Sequence, residues 1–243
     1  NSRADVIARV EEISPDLLVL SSYRNLIPDK LLNVPSLGTI NLHMAPLPKY
    51  RGAHPENWAI INGEKWMGYT VHYLDVGIDT GDIIAQGRVR ILPDDDILSL
   101  TFKLSAVAPH LLVNVVRDIE RGDVTRTPQD ESQASYFPPR KPSDGLIDWS
   151  LNDTQIHNLV RALTRPYPGA FTFLLGEKLT IWRTRLMSEK LKRSQSGEIV
   201  AKSSDGLLIG TGTNPILITD YHWLGGNLSQ SVLGETFGER PSK

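Results

Sequence analysis

Apolar positions recur at helical spacing at the start of the chain. Val6, Ile7, Val10 and Ile13 make one face over residues 2–13, with Ser2 as a cap and Asp5 at the capping-box position. Pro15 ends that helix. Leu17-Leu18-Val19-Leu20 is a continuous apolar run, the pattern of a strand covered on both faces. Residues 38–43, 69–74 and 83–91 predict three further strands, the last two separated by the turn-rich stretch 75–82. Residues 94–121 predict a long amphipathic helix with Ile97, Leu100, Leu104, Val107, Leu111, Val115 and Ile119 on its apolar side. Pro109 predicts a kink in it and Gly122 a stop.

The pattern changes at residues 128–143. Pro128, Pro138, Pro139 and Pro142 among polar residues predict a linker running over the surface. A helix follows over 153–164, with Ile156, Leu159, Val160 and Leu163 on one face. Short strands come next at 171–175, 179–186, 197–202, 207–210 and 215–221, with Asp205-Gly206 as a hairpin turn. Five such strands predict a small closed or half-closed β-barrel. The expected organisation is an α/β domain over 1–127, a linker over 128–147 and a barrel domain over 148–243. No Gly-x-Gly-x-x-Gly follows any strand, so a dinucleotide site has no support.

Composition narrows the function classes. The 243 residues include no cysteine, which excludes disulfides, thiolate catalysis and cysteine-ligated zinc, and fits a reducing, cytoplasmic setting. A net charge of −2 argues against a chain whose main task is to grip nucleic acid. No continuous apolar run approaches the ~18 residues of a membrane span, so no membrane partner is expected.

The densest chemistry lies between Asn41 and Gly52. On a strand, Asn41 and His43 point to the same face, at the end where open α/β sheets place ligands. The glycine-flanked loop Asp75-Val76-Gly77-Ile78-Asp79-Thr80-Gly81-Asp82 can bring a carboxylate to His43. Asn, His and Asp together suit acyl transfer: the histidine moves protons, the carboxylate favours its charged form, and the amide donates to a developing oxyanion. Each also has a plainer reading. The acidic residues of 75–82 are ordinary turn formers and lack the ligand spacing of a calcium loop. Asp94-Asp95-Asp96 is helix-start charge. His72 reads as a packed histidine, and Trp58 and Trp66 as packing anchors. His54, His110, His157 and His222 have no metal-ligand spacing, and no metal is expected.

Several motifs in order carry a resemblance to a family. Asn41-Leu42-His43, Leu47-Pro48-Lys49-Tyr50-Arg51-Gly52, Ile61-Asn62-Gly63-Glu64, Gly77-Ile78-Asp79-Thr80-Gly81-Asp82-Ile83 and Ile147-Asp148-Trp149-Ser150 resemble the folate-dependent formyltransferases. The likeness extends over nearly the whole chain. It implies a Rossmann-like formyltransferase domain and a small OB-like β-barrel domain. It also implies N10-formyltetrahydrofolate as formyl donor and a primary amine as acceptor. By matching positions, His43 is the proton-transfer residue, Asn41 stabilises the tetrahedral intermediate, and Asp79 tunes the histidine. The folate is expected against Asn25, Leu26 and Ile27, against Ala45, Pro46, Leu47 and Pro48, and against Asp75, Val76, Gly77 and Ile78. The family's opening strands and glycine-bearing first loop, about sixty residues, have no counterpart here, so the N-terminal strands of the doubly wound fold are expected to be missing.

The acceptor is read from the branches of the family. Tyr23-Arg24, the stretch Ser135 to Pro142 and the stretch Pro166 to Phe171 resemble the amino-sugar branch. Ala53 instead resembles members that formylate transfer RNA. Residues 148–243 carry 11 Lys/Arg against 9 Asp/Glu, a net +2, and only Arg183, Arg185, Lys190, Lys192 and Arg193 cluster. A transfer-RNA dock would gain from a basic face. The expected acceptor is therefore a nucleotide-linked amino-sugar, with methionyl-tRNA as the alternative. A formyltetrahydrofolate hydrolase and a non-catalytic folate-binding module are further alternatives.

Overall fold

The computed structural model describes residues 3–23, 25–192, 194–226 and 232–238. The proposed cap Ser2, Arg24 of the Tyr-Arg pair and Arg193 of the basic cluster lie outside them. In chain order the elements are α1 (Arg3–Ile13), β1 (Leu18–Ser21), α2 (Asp29–Leu32), β2 (Thr39–His43), β3 (Arg51–Gly52), α3 (Pro55–Ile61), β4 (Trp66–Tyr73), β5 (Ile83–Arg90) and α4 (Ile97–Arg121). After a 3-10 turn come β6 (Tyr136–Phe137), α5 (Asp153–Leu163), β7 (Ala170–Leu174), β8 (Glu177–Leu186), β9 (Ile199–Ser203), β10 (Gly206–Ile209) and β11 (Ile216–Trp223).

Two compact units emerge. The first comprises Asn1–Glu56, Lys65–Leu92 and Leu100–Pro139; the second comprises Asn57–Glu64, Pro93–Ser99 and Arg140–Lys243. The first is built on a mixed sheet of order β1-β2-β4-β5. β1 runs parallel to β2, and β2–β4 and β4–β5 are antiparallel. Period two sorts β2. Ile40 and Leu42 join Val71 and Tyr73 of β4 in a core with Ala108, Val115 and Ile119 of α4. Asn41 and His43 therefore face the other way, beside Thr70 and His72 across the ladder. Among the described residues β1 stands first in the sheet order, with Val19 40% exposed. In α1, Val6 and Ile13 are exposed.

α4 begins three residues later than the acidic run suggested. The Asp96 carboxylate accepts from the Ser99 N–H at 2.9 Å and the Ser99 hydroxyl binds the Asp96 N–H at 3.0 Å, so the acids cap the helix from outside. Pro109 lies inside the helix, which continues through it. By length and mean composition α4 is apolar enough to cross a membrane, which average hydropathy reveals and continuous runs do not. Its apolar residues divide between a buried stripe (Leu100, Leu104, Ala108, Val115, Ile119) and exposed Phe102 and Val113.

Residues 128–139 group with the first unit, and most of them are exposed. Their β6 pairs in parallel with β3, and Tyr50 stacks on Phe137 at 4.7 Å between ring centroids. The second unit holds α5 and an antiparallel sheet of order β7-β8-β11-β10-β9. Asn152 and Gln155 form a capping box at the start of α5. The sheet is closed by residues 235–238. Phe173 of β7 exchanges both backbone bonds with Gly238, while the Phe237 N–H reaches Gly197 and the Ile199 N–H reaches Glu235. That segment joins the two edge strands and makes the barrel. The β9–β10 turn is Ser204-Asp205, one residue earlier than the hairpin signature, because Gly206 already pairs with Ser203.

Ile40 is fully buried at the centre of the sheet–helix core. Ile40→Ala should cost about 2–5 kcal/mol by removing buried methylenes and leaving a void. The measurement is the urea unfolding midpoint by circular dichroism; a change below about 0.5 kcal/mol would mean that this core is not packed as described.

Candidate active site

The open face of the first unit's sheet collects the polar groups. His43, at the end of β2, is buried, and its Nε2 lies 3.0 Å from the Tyr50 carbonyl oxygen. Its Nδ1 faces Asp79 Oδ1 at 3.7 Å. Both neighbours are acceptors, and the Tyr50 carbonyl is the one within hydrogen-bond reach. At 3.7 Å the Asp79 carboxylate lies beyond hydrogen-bond reach of Nδ1 and approaches the ring as a neighbouring charge.

Asp79 is held in an unusual backbone state. Its φ is +55°, a left-handed conformation that an aspartate tolerates better than most residues. The Gly52 N–H donates to its Oδ2 at 2.9 Å, which leaves Oδ1 for the imidazoles. Gly52 cannot be replaced without strain: its φ is +99° and a Cβ would lie 2.4 Å from the Phe137 carbonyl oxygen. Gly81 allows a similar approach, since a Cβ there would meet the Tyr73 carbonyl oxygen at 2.1 Å.

His72 belongs to the same group, although the sequence presented it as a packed histidine. It is fully buried, opposite Asn41 in the β2–β4 register. Its Nδ1 lies 2.7 Å from the Tyr73 carbonyl oxygen, so Nδ1 carries the proton and Nε2 is an acceptor. Nε2 then receives the Asn41 amide at 3.4 Å and stands 3.8 Å from Asp79 Oδ1. Burial pushes the His72 pKa down to about 4, Asp79 opposes that shift, and His43 adds to it. His72 is thus neutral near pH 7, and its lone pair orients the Asn41 amide. Glu56, at the start of α3, is pushed above the usual carboxylate range chiefly by burial, with its own backbone N–H and His43 opposing.

The segments expected to meet a folate differ in exposure. Asn25, Leu26, Asp75, Val76 and Ile78 are exposed, and Ile27 and Gly77 are half-buried. Ala45 and Leu47 are buried. The Ala45 carbonyl accepts from Thr70 Oγ1, the Leu47 N–H donates to the same hydroxyl, and the Leu47 carbonyl accepts from Gln86. These two residues brace the loop from inside, and Pro46 and Pro48 are its half-open members. Trp66 is 47% exposed with the Arg88 guanidinium 4.7 Å from its ring, so it is not a core anchor.

Sequence reasoning passed over Gln129 and Arg51. Arg51 is fully buried, and Gln129 links it to the Asp79 loop. For His72 a signal existed: residue 72 shares a strand face with Thr70, and the partner strand carries Asn-x-His. For Gln129, inside a proline-rich stretch, no sequence signal existed.

Comparison with known proteins agrees with this architecture. Residues 1–116 match the profile of the formyl transferase family, and residues 140–231 match the profile of the formyl transferase C-terminal domain. The methionyl-tRNA formyltransferase of Acetivibrio thermocellus is 38% identical over 216 residues, covering 89% of this chain and 69% of that protein. The methionyl-tRNA formyltransferase of Geobacter metallireducens is also 38% identical, covering 89% and 68%. Among solved structures, HypX from Aquifex aeolicus in complex with tetrahydrofolic acid superposes with a TM-score of 0.69 at 23% identity. That superposition covers 90% of this chain but only 37% of HypX. The N-formyltransferase from Helicobacter canadensis in complex with folinic acid and dTDP-3-aminofucose gives a TM-score of 0.67 at 21% identity, covering 88% and 77%.

His72 generates a stability prediction. Its folded pKa of about 4 lies below the unfolded value of ~6.5. Between those values the unfolded chain binds a proton that the folded ring refuses. The stabilisation is complete above pH ~6.5 and is lost as pH falls towards 4, by about 1.4 kcal/mol per unit and on the order of 3 kcal/mol in all. His72→Asn should flatten this acid slope in urea unfolding measured at several pH values between about 7 and 4.5. An unchanged slope would contradict the neutral, buried His72.

Proposed function

The chain belongs to the formyl transferase family, and we propose that it moves a formyl group from N10-formyltetrahydrofolate to a primary amine at the Asn41–His43–Asp79 cluster. The observation that carries this is the approach of Asp79 to His43, with the Asn41 amide on the same strand face. Exposed Leu26 (58%), Val76 (74%) and Ile78 (49%) are apolar side chains on which the donor's ring faces can pack.

The donor supplies an activated formyl carbon. The chain's own groups supply the rest. His43 accepts the proton that the attacking amine must lose, and its imidazolium is then held between the Tyr50 carbonyl and Asp79. That proton can pass to the departing folate nitrogen, so the new N–C bond forms and the old one breaks without net charge transfer. The Asn41 amide, oriented by neutral His72, donates to the negative charge that develops on the formyl oxygen. Partial burial of the cluster strengthens each of these interactions.

For the acceptor, the curated relatives support methionyl-tRNA, at 38% identity over most of both chains. A nucleotide-linked amino-sugar is the second reading. It is supported by the weak charge of residues 148–243, whose net +2 gives transfer RNA little electrostatic purchase.

His43→Ala should lower turnover roughly 10²-fold or more while folate binding persists. Asp79→Asn should lower it as well. The acceptor is decided by offering methionyl-tRNA and nucleotide-linked amino-sugars in parallel with N10-formyltetrahydrofolate. Formylation of methionyl-tRNA that falls steeply with salt is expected. Sugar turnover without tRNA turnover would move the protein to the second reading, and formate release without either acceptor would make water the acceptor.

A further inference from the structure

We propose that Gln129 is a positioning residue for the formyl transfer, a clamp that fixes Asp79 against His43. The proposal rests on the role given to Asp79 above and adds a residue from outside the recognised motifs.

A left-handed aspartate between two glycines has no intrinsic reason to stay put, and strained residues persist only where their surroundings over-determine them. The Gln129 amide nitrogen supplies that constraint. It donates to the Asp79 carbonyl at 2.8 Å and to the Gly81 carbonyl at 2.7 Å, bracketing the turn. Its two N–H groups are thereby consumed. Its oxygen is also committed, accepting from Arg51 Nε at 3.1 Å and Nη2 at 2.8 Å. Every strong hydrogen-bonding direction of this amide is therefore fixed, and the side chain cannot flip without stranding buried donors.

Gln129 thus ties the Asp79 loop to the strand that follows the His43 loop. Arg51 is the next residue after Tyr50, whose carbonyl holds His43 Nε2, and it precedes Gly52, whose N–H holds Asp79 Oδ2. The two contacts that place the imidazole and the carboxylate flank Arg51, and Gln129 joins the Asp79 carboxylate in tying β3 to the loop bearing Asp79. A displacement of about 1 Å in such an arrangement can cost on the order of 10²-fold in rate.

Two variants separate the parts of the clamp. Gln129→Glu keeps the length and still accepts from Arg51, but it cannot donate to the two carbonyls. Gln129→Met keeps the length and makes neither contact. Amide hydrogen exchange by mass spectrometry, on the full chain without substrate, reads the loop directly. Both variants should speed exchange in residues 75–82 by about 10-fold or more and leave the barrel strands unchanged. In the transfer assay each should lower kcat by roughly 10-fold or more. Because the clamp acts through Asp79, the same substitution in an Asp79→Asn background should cost less than about twofold, a coupling that a merely structural role would not show.

Unchanged exchange over residues 75–82 in both variants would overturn the proposal. So would a full additional loss of kcat in the Asp79→Asn background. Loss of protection across the whole first unit would also overturn it, since Gln129 would then be a folding residue rather than a local clamp. If the wild-type chain transfers no formyl group, the functional reading fails on its own, and the exchange experiment still decides whether Gln129 holds the loop.

Discussion

A buried cation organises this site. The Arg51 side chain has no exposed surface, and a guanidinium removed from water is costly unless each of its donors finds a partner. Here all five N–H groups do. Nε and Nη2 reach Gln129, Nη1 and Nη2 grip the Glu131 carboxylate, and Nη1 also reaches the Tyr136 hydroxyl at 2.6 Å. Arg51 holds the Glu131 carboxyl below its usual range, although Glu131 itself stays 66% exposed in its side chain. Three residues of one chain segment are thereby recruited to one side chain. A lysine could not do this, because an ammonium lacks the planar fork.

From that anchor the remaining geometry follows. Residues 129–137 are drawn against β3, where the Arg51 N–H bonds the Ser135 carbonyl and the Ala53 N–H bonds the Phe137 carbonyl. The pairing brings the Phe137 carbonyl so close to Gly52 that no side chain fits there. Gly52 in turn offers its N–H to Asp79. The local rigidity therefore comes from polar groups fully satisfied by one another, while the apolar core lies on the opposite face of the sheet. Such a division lets the chemistry-bearing face stay partly open without loosening it.

The two histidines share one carboxylate neighbour. Both stand within 4 Å of the same carboxylate oxygen, 3.7 Å for His43 and 3.8 Å for His72. One carboxylate cannot offset two buried positive charges, and burial decides against His72. Its neutrality supplies an acceptor for Asn41. The ring of His72 acts here as a polar spacer, a use that residue type alone does not reveal.

Periodicity in the sequence determined most of the elements, because apolar spacing states which face of a helix or strand leaves water. The stripe along α4, the alternation on β2 and the five short strands of the barrel were all legible in that way. So was the pairing of Asn41 with His43 on one face, since period two is fixed by strand geometry. The barrel's closure by residues 235–238 was not legible, since it rests on backbone bonds that carry no side-chain pattern. The same reason hid the roles of His72, Arg51 and Gln129. Most of their partners lie far away in the chain, up to 85 positions for Arg51 and Tyr136, and many are carbonyl oxygens or carboxylates that any sequence supplies in plenty. Local propensity selects which residues can bond; only the folded chain, by burying Arg51 and bending the Asp79 loop over the sheet, decided which of them do.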